Sequence, residues 1–130
     1  MSESELITLF GQTNGTNTTG TVSLNSDILY QSVNAIVIPQ GMKAKIYVTE
    51  ISGAAVSFTV NYSTNILATS PTLVSVASYN LASAGQLMLD IRRPIILRSR
   101  TGQEGFNITW SQSTAAVSNI TIVVEFTPDY

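Results

Sequence analysis

The stretch "VIPQGMKAKIYVTEISGAAVSFTVNYS", residues 37–63, decides the fold. From Lys43 to Thr49 the odd positions are Lys43, Lys45, Tyr47 and Thr49, and the even ones are Ala44, Ile46 and Val48. From Val56 to Tyr62 the apolar set is Val56, Phe58, Val60 and Tyr62, alternating with Ser57, Thr59 and Asn61. A period of two sends successive side chains to opposite faces of a strand, so each run has an apolar and a polar side. "PQGM" (39–42) carries the Pro and Gly of a tight reversal, and "SGAA" (52–55) sets a glycine between the runs. Each run therefore has one apolar and one polar face, as in antiparallel sheets with one wet side.

The same rhythm extends in both directions. Phe106, Ile108 and Trp110 alternate with Asn107, Thr109 and Ser111, and Ile120, Ile122, Val124 and Phe126 alternate with Thr121, Val123 and Glu125. Further strands read at 5–10, 21–25, 33–38, 73–81, 86–91 and 95–99, with turns at "SAGQ" (83–86) and "RTGQEG" (100–105). No window shows the apolar i, i+3, i+4, i+7 repeat of a helix. The residues read as all-β: an antiparallel β-sandwich or barrel of about 8–10 short strands. Trp110 shares parity with Phe106 and Ile108 and belongs to the core.

"GQTNGTNTTG" (11–20) has no apolar residue and three glycines. Residues 1–20 therefore read as an N-terminal arm with a flexible polar loop, and 21–130 as a single β-sandwich domain. Within the arm, Leu6, Ile7, Leu9 and Phe10 form a candidate strand-exchange segment that pairs with a neighbouring subunit.

Composition narrows the chemistry. The chain of 130 residues has no cysteine and no histidine, which removes thiolate sites, the commonest zinc ligand and the usual general base. Only 11% of residues are charged and the net charge is −2, while 16 Thr, 16 Ser and 9 Asn supply the polarity. Surfaces of this kind exert little repulsion between copies and favour packing against neighbours. The acidic residues are dispersed, without calcium-loop spacing, and no glycine-rich phosphate loop follows a strand. Glu50 and Asp90 are expected to pair with nearby Lys or Arg rather than serve as a glycosidase pair. No catalytic residue, cofactor or metal ligand is expected. Sugar binding would need exposed aromatics, and Tyr30, Tyr79 and Tyr130 form no sequence cluster. The N-terminus lacks the basic start and long apolar core of a signal peptide, and no stretch has membrane-span length.

Four of the six basic residues lie in "IRRPIILRSR" (91–100). Between 86 and 100 the odd positions are mostly apolar, and Arg92, Arg98 and Arg100 share the even face with Asp90. Pro94 divides the segment into two strand pieces, because proline cannot donate to a central ladder. The interleaved residues are Ile and Leu rather than exposed aromatics, which speaks against nucleic-acid binding. Lys43, Lys45, Arg92, Arg98 and Arg100 form the candidate protein interface, arginine being the charge best suited to one.

The order "VIPQGMKAKIYVTEISGAAVSFTVNYS" (37–63), "LASAGQLMLDI" (81–91) and "FNITWSQSTAAVSNITIVVEFT" (106–127) resembles small β-sandwich virion proteins of tailed phages and other double-stranded DNA viruses. The resemblance covers roughly residues 33–127 and rests on turn chemistry and alternation. It implies a jelly-roll-like capsid decoration, spike or head-associated protein, a homo-oligomer and often a trimer, on a shell of major capsid protein. It implies a virion location after synthesis in the host cytoplasm, and no catalytic residues. The alternative is a cell-surface or appendage binding module with a carbohydrate or protein ligand.

Overall fold

The runs at 43–49 and 56–62 become central strands of two different sheets. A computed structural model describes residues 5–24, 31, 32 and 34–129. Tyr30 and Tyr130, considered above for sugar binding, lie outside the described residues. Strand β5 (Met42–Gly53) begins at the Pro39–Met42 turn, where the Met42 N–H donates to the Pro39 carbonyl at 3.1 Å. Gly41 has φ 78° there, a backbone conformation that glycine adopts without a Cβ clash. Strand β6 is Val56–Ser63.

Eleven strands form among the described residues, against the eight to ten expected. The others are β1 (Glu5–Gln12), β2 (Thr19–Thr21), β3 (Gln31–Ser32), β4 (Ala35–Val37), β7 (Val74–Leu81), β8 (Gly85–Met88), β9 (Ile95–Arg98), β10 (Gly105–Ser111) and β11 (Ser118–Pro128). The first sheet runs β1-β11-β5-β8, with β9 also on β5; the second runs β3-β4-β10-β6-β7, with β2 also on β10. The pairings nest: β1 with β11, β2 and β4 with β10, β5 with β8 and β9, and β6 with β7. A long hairpin folded over on itself produces this order, which is the jelly-roll form of the sandwich.

The core lies between the two inner faces. Ala44, Ile46, Val48, Ile120, Ile122, Val124 and Phe126 come from the first sheet, and Val56, Phe58, Val60, Phe106, Ile108 and Trp110 from the second. Each fully buried Val, Leu, Ile or Phe contributes about 1.5–3 kcal/mol relative to exposure. Within β5, β6, β10 and β11 parity held with one departure. Ile51 shares odd parity with Lys43 and Lys45 yet is fully buried, because Thr49 is an extra residue opposite the Thr121–Ile122 step and reverses the alternation after it. Gly20 pairs with Trp110 across the ladder, and the indole ring fills the space a Cβ would need.

The 86–91 strand ends early. After Met88 the chain turns through 89–94, leaving Ile91 57% exposed rather than inward, before β9 resumes on the same partner strand. The turn and Pro94 split the segment into two strand pieces, as its sequence implies.

Candidate interaction surfaces

The structure divides the five candidate interface residues. Lys43 and Arg98 are partners across β5 and β9, and Lys45 faces Ile96 on one side and Glu125 on the other. These three cations occupy one corner of the first sheet's outer face. Arg98 Nε donates to Asp129 Oδ1 at 3.1 Å, an acid that parity alone does not place there. Arg92 sits apart, in the turn before β9, where its backbone N–H and Nε both donate to Asp90 Oδ1 at 3.0 Å. These hydrogen bonds hold the Asp90 carboxyl below its usual range. Exposed pairs of this kind add little to stability. The expectation for Glu50 is corrected: its carboxylate accepts from Gln86 Nε2 at 2.7 Å rather than from a cation, because Gln86 stands two positions from its register partner Met88.

Arg100 follows β9, and its N–H donates to Glu104 Oε2 at 3.0 Å. Glu104 escaped the sequence reading, since "RTGQEG" looks like an ordinary polar connection. It is 6% exposed and gathers the loop around itself. Its Oε1 accepts from the Ser99 and Thr101 hydroxyls at 3.0 and 2.7 Å and from the Thr101 and Gln103 N–H groups at 3.1 and 3.2 Å. Burial pushes its pKa up. The Thr101 hydroxyl and the N–H groups of Arg100, Glu104 and Thr101 outweigh it and bring the value down to about 2. A Thr directly after an Arg and three before a Glu is the only signal the sequence offers, and it is weak.

The four arm residues lie in β1, which pairs with β11 of its own chain in unbroken register from Glu5↔Phe126 to Gln12↔Asn119. Leu9 is fully buried and Ile7 packs against the core, whereas Leu6 and Phe10 are 68% and 57% exposed on the outer face. Beyond β1, the Thr13 N–H donates to Ser118 O at 3.0 Å and its hydroxyl to Ala116 O at 2.6 Å.

Apolar side chains extend across the first sheet's outer side. Leu6 and Phe10 are exposed at one edge of it and Met88 and Ile96 at the other, with β11 and β5 between, and Tyr47, Thr49, Ile91 and Val123 line a dimple of about 200 Å³. On the second sheet, β7 forms an edge on which Val74 and Val76 are exposed, with Leu73 just before them. No residue between Glu50 and Asp90 carries a charge, so β6, β7 and β8 have none. Among the described residues no group of three acidic side chains is placed to hold a metal, and no helix is long and apolar enough to cross a membrane.

No protein-family model matches the sequence, and no curated protein matches it. Among solved structures, the chain is similar to a protein of Bacillus endospore appendages described as disulfide-linked pili. That match has 14% identity and a TM-score of 0.45, over 98% of this chain and 89% of that one. It is also similar to a chain of infectious bursal disease virus, strain Gx, at 9% identity and a TM-score of 0.36. That second match covers 98% of this chain but 42% of the viral one. Likenesses this loose carry no weight for function.

Proposed function

We propose that this protein is a non-enzymatic structural subunit that assembles with copies of itself, as a capsid decoration or head-associated protein of a virion. The observation that carries the reading is the β7 edge. Natural sheets guard a free edge with charge, proline, bulges or a very short strand. β7 is 8 residues long, lacks any charge and presents Val74 and Val76 to solvent; its one irregularity is a bulge at Val76, opposite the Val60–Asn61 step, and Tyr79–Leu81 pair regularly beyond it. An edge of this kind takes up another strand through main-chain hydrogen bonds. The sparse surface charge removes much of the repulsion that would keep copies apart.

On this reading the corner formed by Lys43, Lys45 and Arg98, flanked by Arg92 and Arg100, docks on an acidic surface of a major capsid protein. Leu6, Ile7, Leu9 and Phe10 keep their register when β1 is laid on β11 of a neighbour. The second reading is an appendage subunit, which the same edge favours. An edge contact between unlike surfaces closes into a ring or, if it does not close, runs on into a filament.

The test is light-scattering mass over a concentration series, with electron microscopy of the products. Wild-type protein is expected to assemble, as rings for the first reading or filaments for the second. The double variant Val74→Lys, Val76→Lys is expected to stay monomeric with an unchanged Tm. A wild-type monomer at high concentration, or a variant that assembles normally, removes the proposal.

A further inference from the structure

The outer face of the first sheet carries a groove of about 730 Å³ at the end of β5 opposite the basic corner. That volume lies in the range of roughly 300–1,000 Å³ usual for small-ligand sites. Two rows of side chains cross the sheet there. One is Gln12, Asn119, Ser52 and Gln86, successive partners on β1, β11, β5 and β8. At about 4.8 Å per strand this row is roughly 14 Å long. The neighbouring row is Phe10, Thr121, Glu50 and Met88. The groove lies where the rows meet on β1, β11 and β5, and Gln86 braces Glu50 from beside it.

The polar groups are already oriented. Gln12 Nε2 donates to Asn119 Oδ1 at 2.8 Å, and no other described residue hydrogen-bonds the Asn119 amide hydrogens or the Gln12 carbonyl, which can face a ligand. Gln86 Nε2 holds Glu50 Oε2 at 2.7 Å, and no described residue hydrogen-bonds Glu50 Oε1. The site thus offers amide donors, amide and carboxylate acceptors and the hydroxyls of Ser52 and Thr121. Phe10, 57% exposed, contributes an aromatic ring to the same groove. A ring face is electron-rich and takes the slightly positive C–H face of a sugar.

We propose that this groove binds an uncharged glycan chain. A pyranose has one C–H face and a rim of hydroxyls that donate and accept, which matches an aromatic rail beside an amide row. Among the described lining residues the only charge is the Glu50 carboxylate, which disfavours phosphate and sulfate esters. The groove is on the face of the first sheet and β7 is an edge of the second, so glycan binding stands or falls independently of assembly through β7, and β1 completes the groove in the same register whichever copy supplies it.

The test is titration calorimetry with cellotetraose and chitotetraose as neutral probes and a heparin-derived tetrasaccharide as the anionic control. At least one neutral probe is expected to bind at millimolar concentration or below, and the heparin fragment is not. Phe10→Ala and Asn119→Ala are each expected to weaken binding roughly tenfold or more, equivalent to about 1.4 kcal/mol. Gln12→Ala, a milder change on the exposed row, gives the same direction if either of those variants folds poorly. Absence of binding by both neutral probes, preference for the heparin fragment, or affinity unaltered in the variants overturns the proposal.

Discussion

On the outer face of the first sheet Lys43 stands beside Arg98 and Lys45 beside Glu125, whereas the rows of the second sheet read Thr19, Ser111, Ser57, Asn80 and Thr21, Thr109, Thr59, Ser78. Among the described residues, the six charged ones that lie in strands all belong to the first sheet: Glu5, Lys43, Lys45, Glu50, Arg98 and Glu125. The second sheet's polar groups satisfy one another. Ser57 Oγ donates to Asn80 Oδ1 at 3.0 Å, Thr59 and Ser78 share a hydrogen at 3.2 Å, and Asn61 Nδ2 reaches Asn107 Oδ1 and Thr109 Oγ1 at 3.0 and 3.1 Å. One outer face is closed on itself and the other keeps charge, apolar area and unspent hydrogen-bonding groups for a partner. What the second sheet leaves open is its edge, where main-chain groups rather than side chains are offered.

If the difference is confined to the outer faces, the inner faces must be equivalent. Phe58→Ala in the second sheet and Phe126→Ala in the first are each expected to cost about 3–5 kcal/mol in urea unfolding. A markedly smaller loss in one sheet would mean that the sheets do not share one core.

The next effect lies in the loop that joins the sheets. Glu104→Gln is expected to cost roughly 2–3 kcal/mol, since a buried carboxylate loses its charge-assisted hydrogen bonds. The folded pKa of about 2 lies below the ordinary 4.5. Glu104 therefore stabilises the fold fully above the unfolded value, and that contribution is lost as the pH falls through the interval down to about 2. The wild type should lose stability over that interval more steeply than the glutamine variant. Parallel pH profiles would contradict the assignment.

Salt separates the outer faces more finely. Thr59→Ala should cost about 0.5–1 kcal/mol at any ionic strength, because it removes a neutral cross-strand pair. Arg98→Ala should cost less than about 1 kcal/mol, and that loss should vanish in high salt with the screening of its Asp129 pair. The last prediction concerns association rather than folding: Arg98→Glu with Arg100→Glu is expected to weaken association with an acidic partner. Unchanged association would remove the basic corner from the interface.

Much of the fold was legible because the chemistry that sets it is local. Alternation placed Phe58, Trp110 and Phe126 inside, and Pro94 broke the 86–100 segment as read. Register was not legible. The extra residue at Thr49 turned Ile51 inward, and the early end of β8 turned Ile91 outward, and both depend on the partner strand. The candidate site was less legible still. Parity put Lys43, Lys45 and Arg98 on outer faces but could not bring them to one corner, since β5 and β9 are far apart in sequence. Glu104 and the Gln12–Asn119 row were invisible for the same reason: their partners are named only by the topology.

The claim that β7 is an assembly edge is tested most directly by amide hydrogen exchange along residues 74–81 at low and high protein concentration. The account predicts that β7 amides exchange readily in dilute protein and become protected as copies assemble, while β10 and β11 stay protected throughout. Exchange in β7 that is the same at both concentrations, alongside assembly detected by mass, would contradict it.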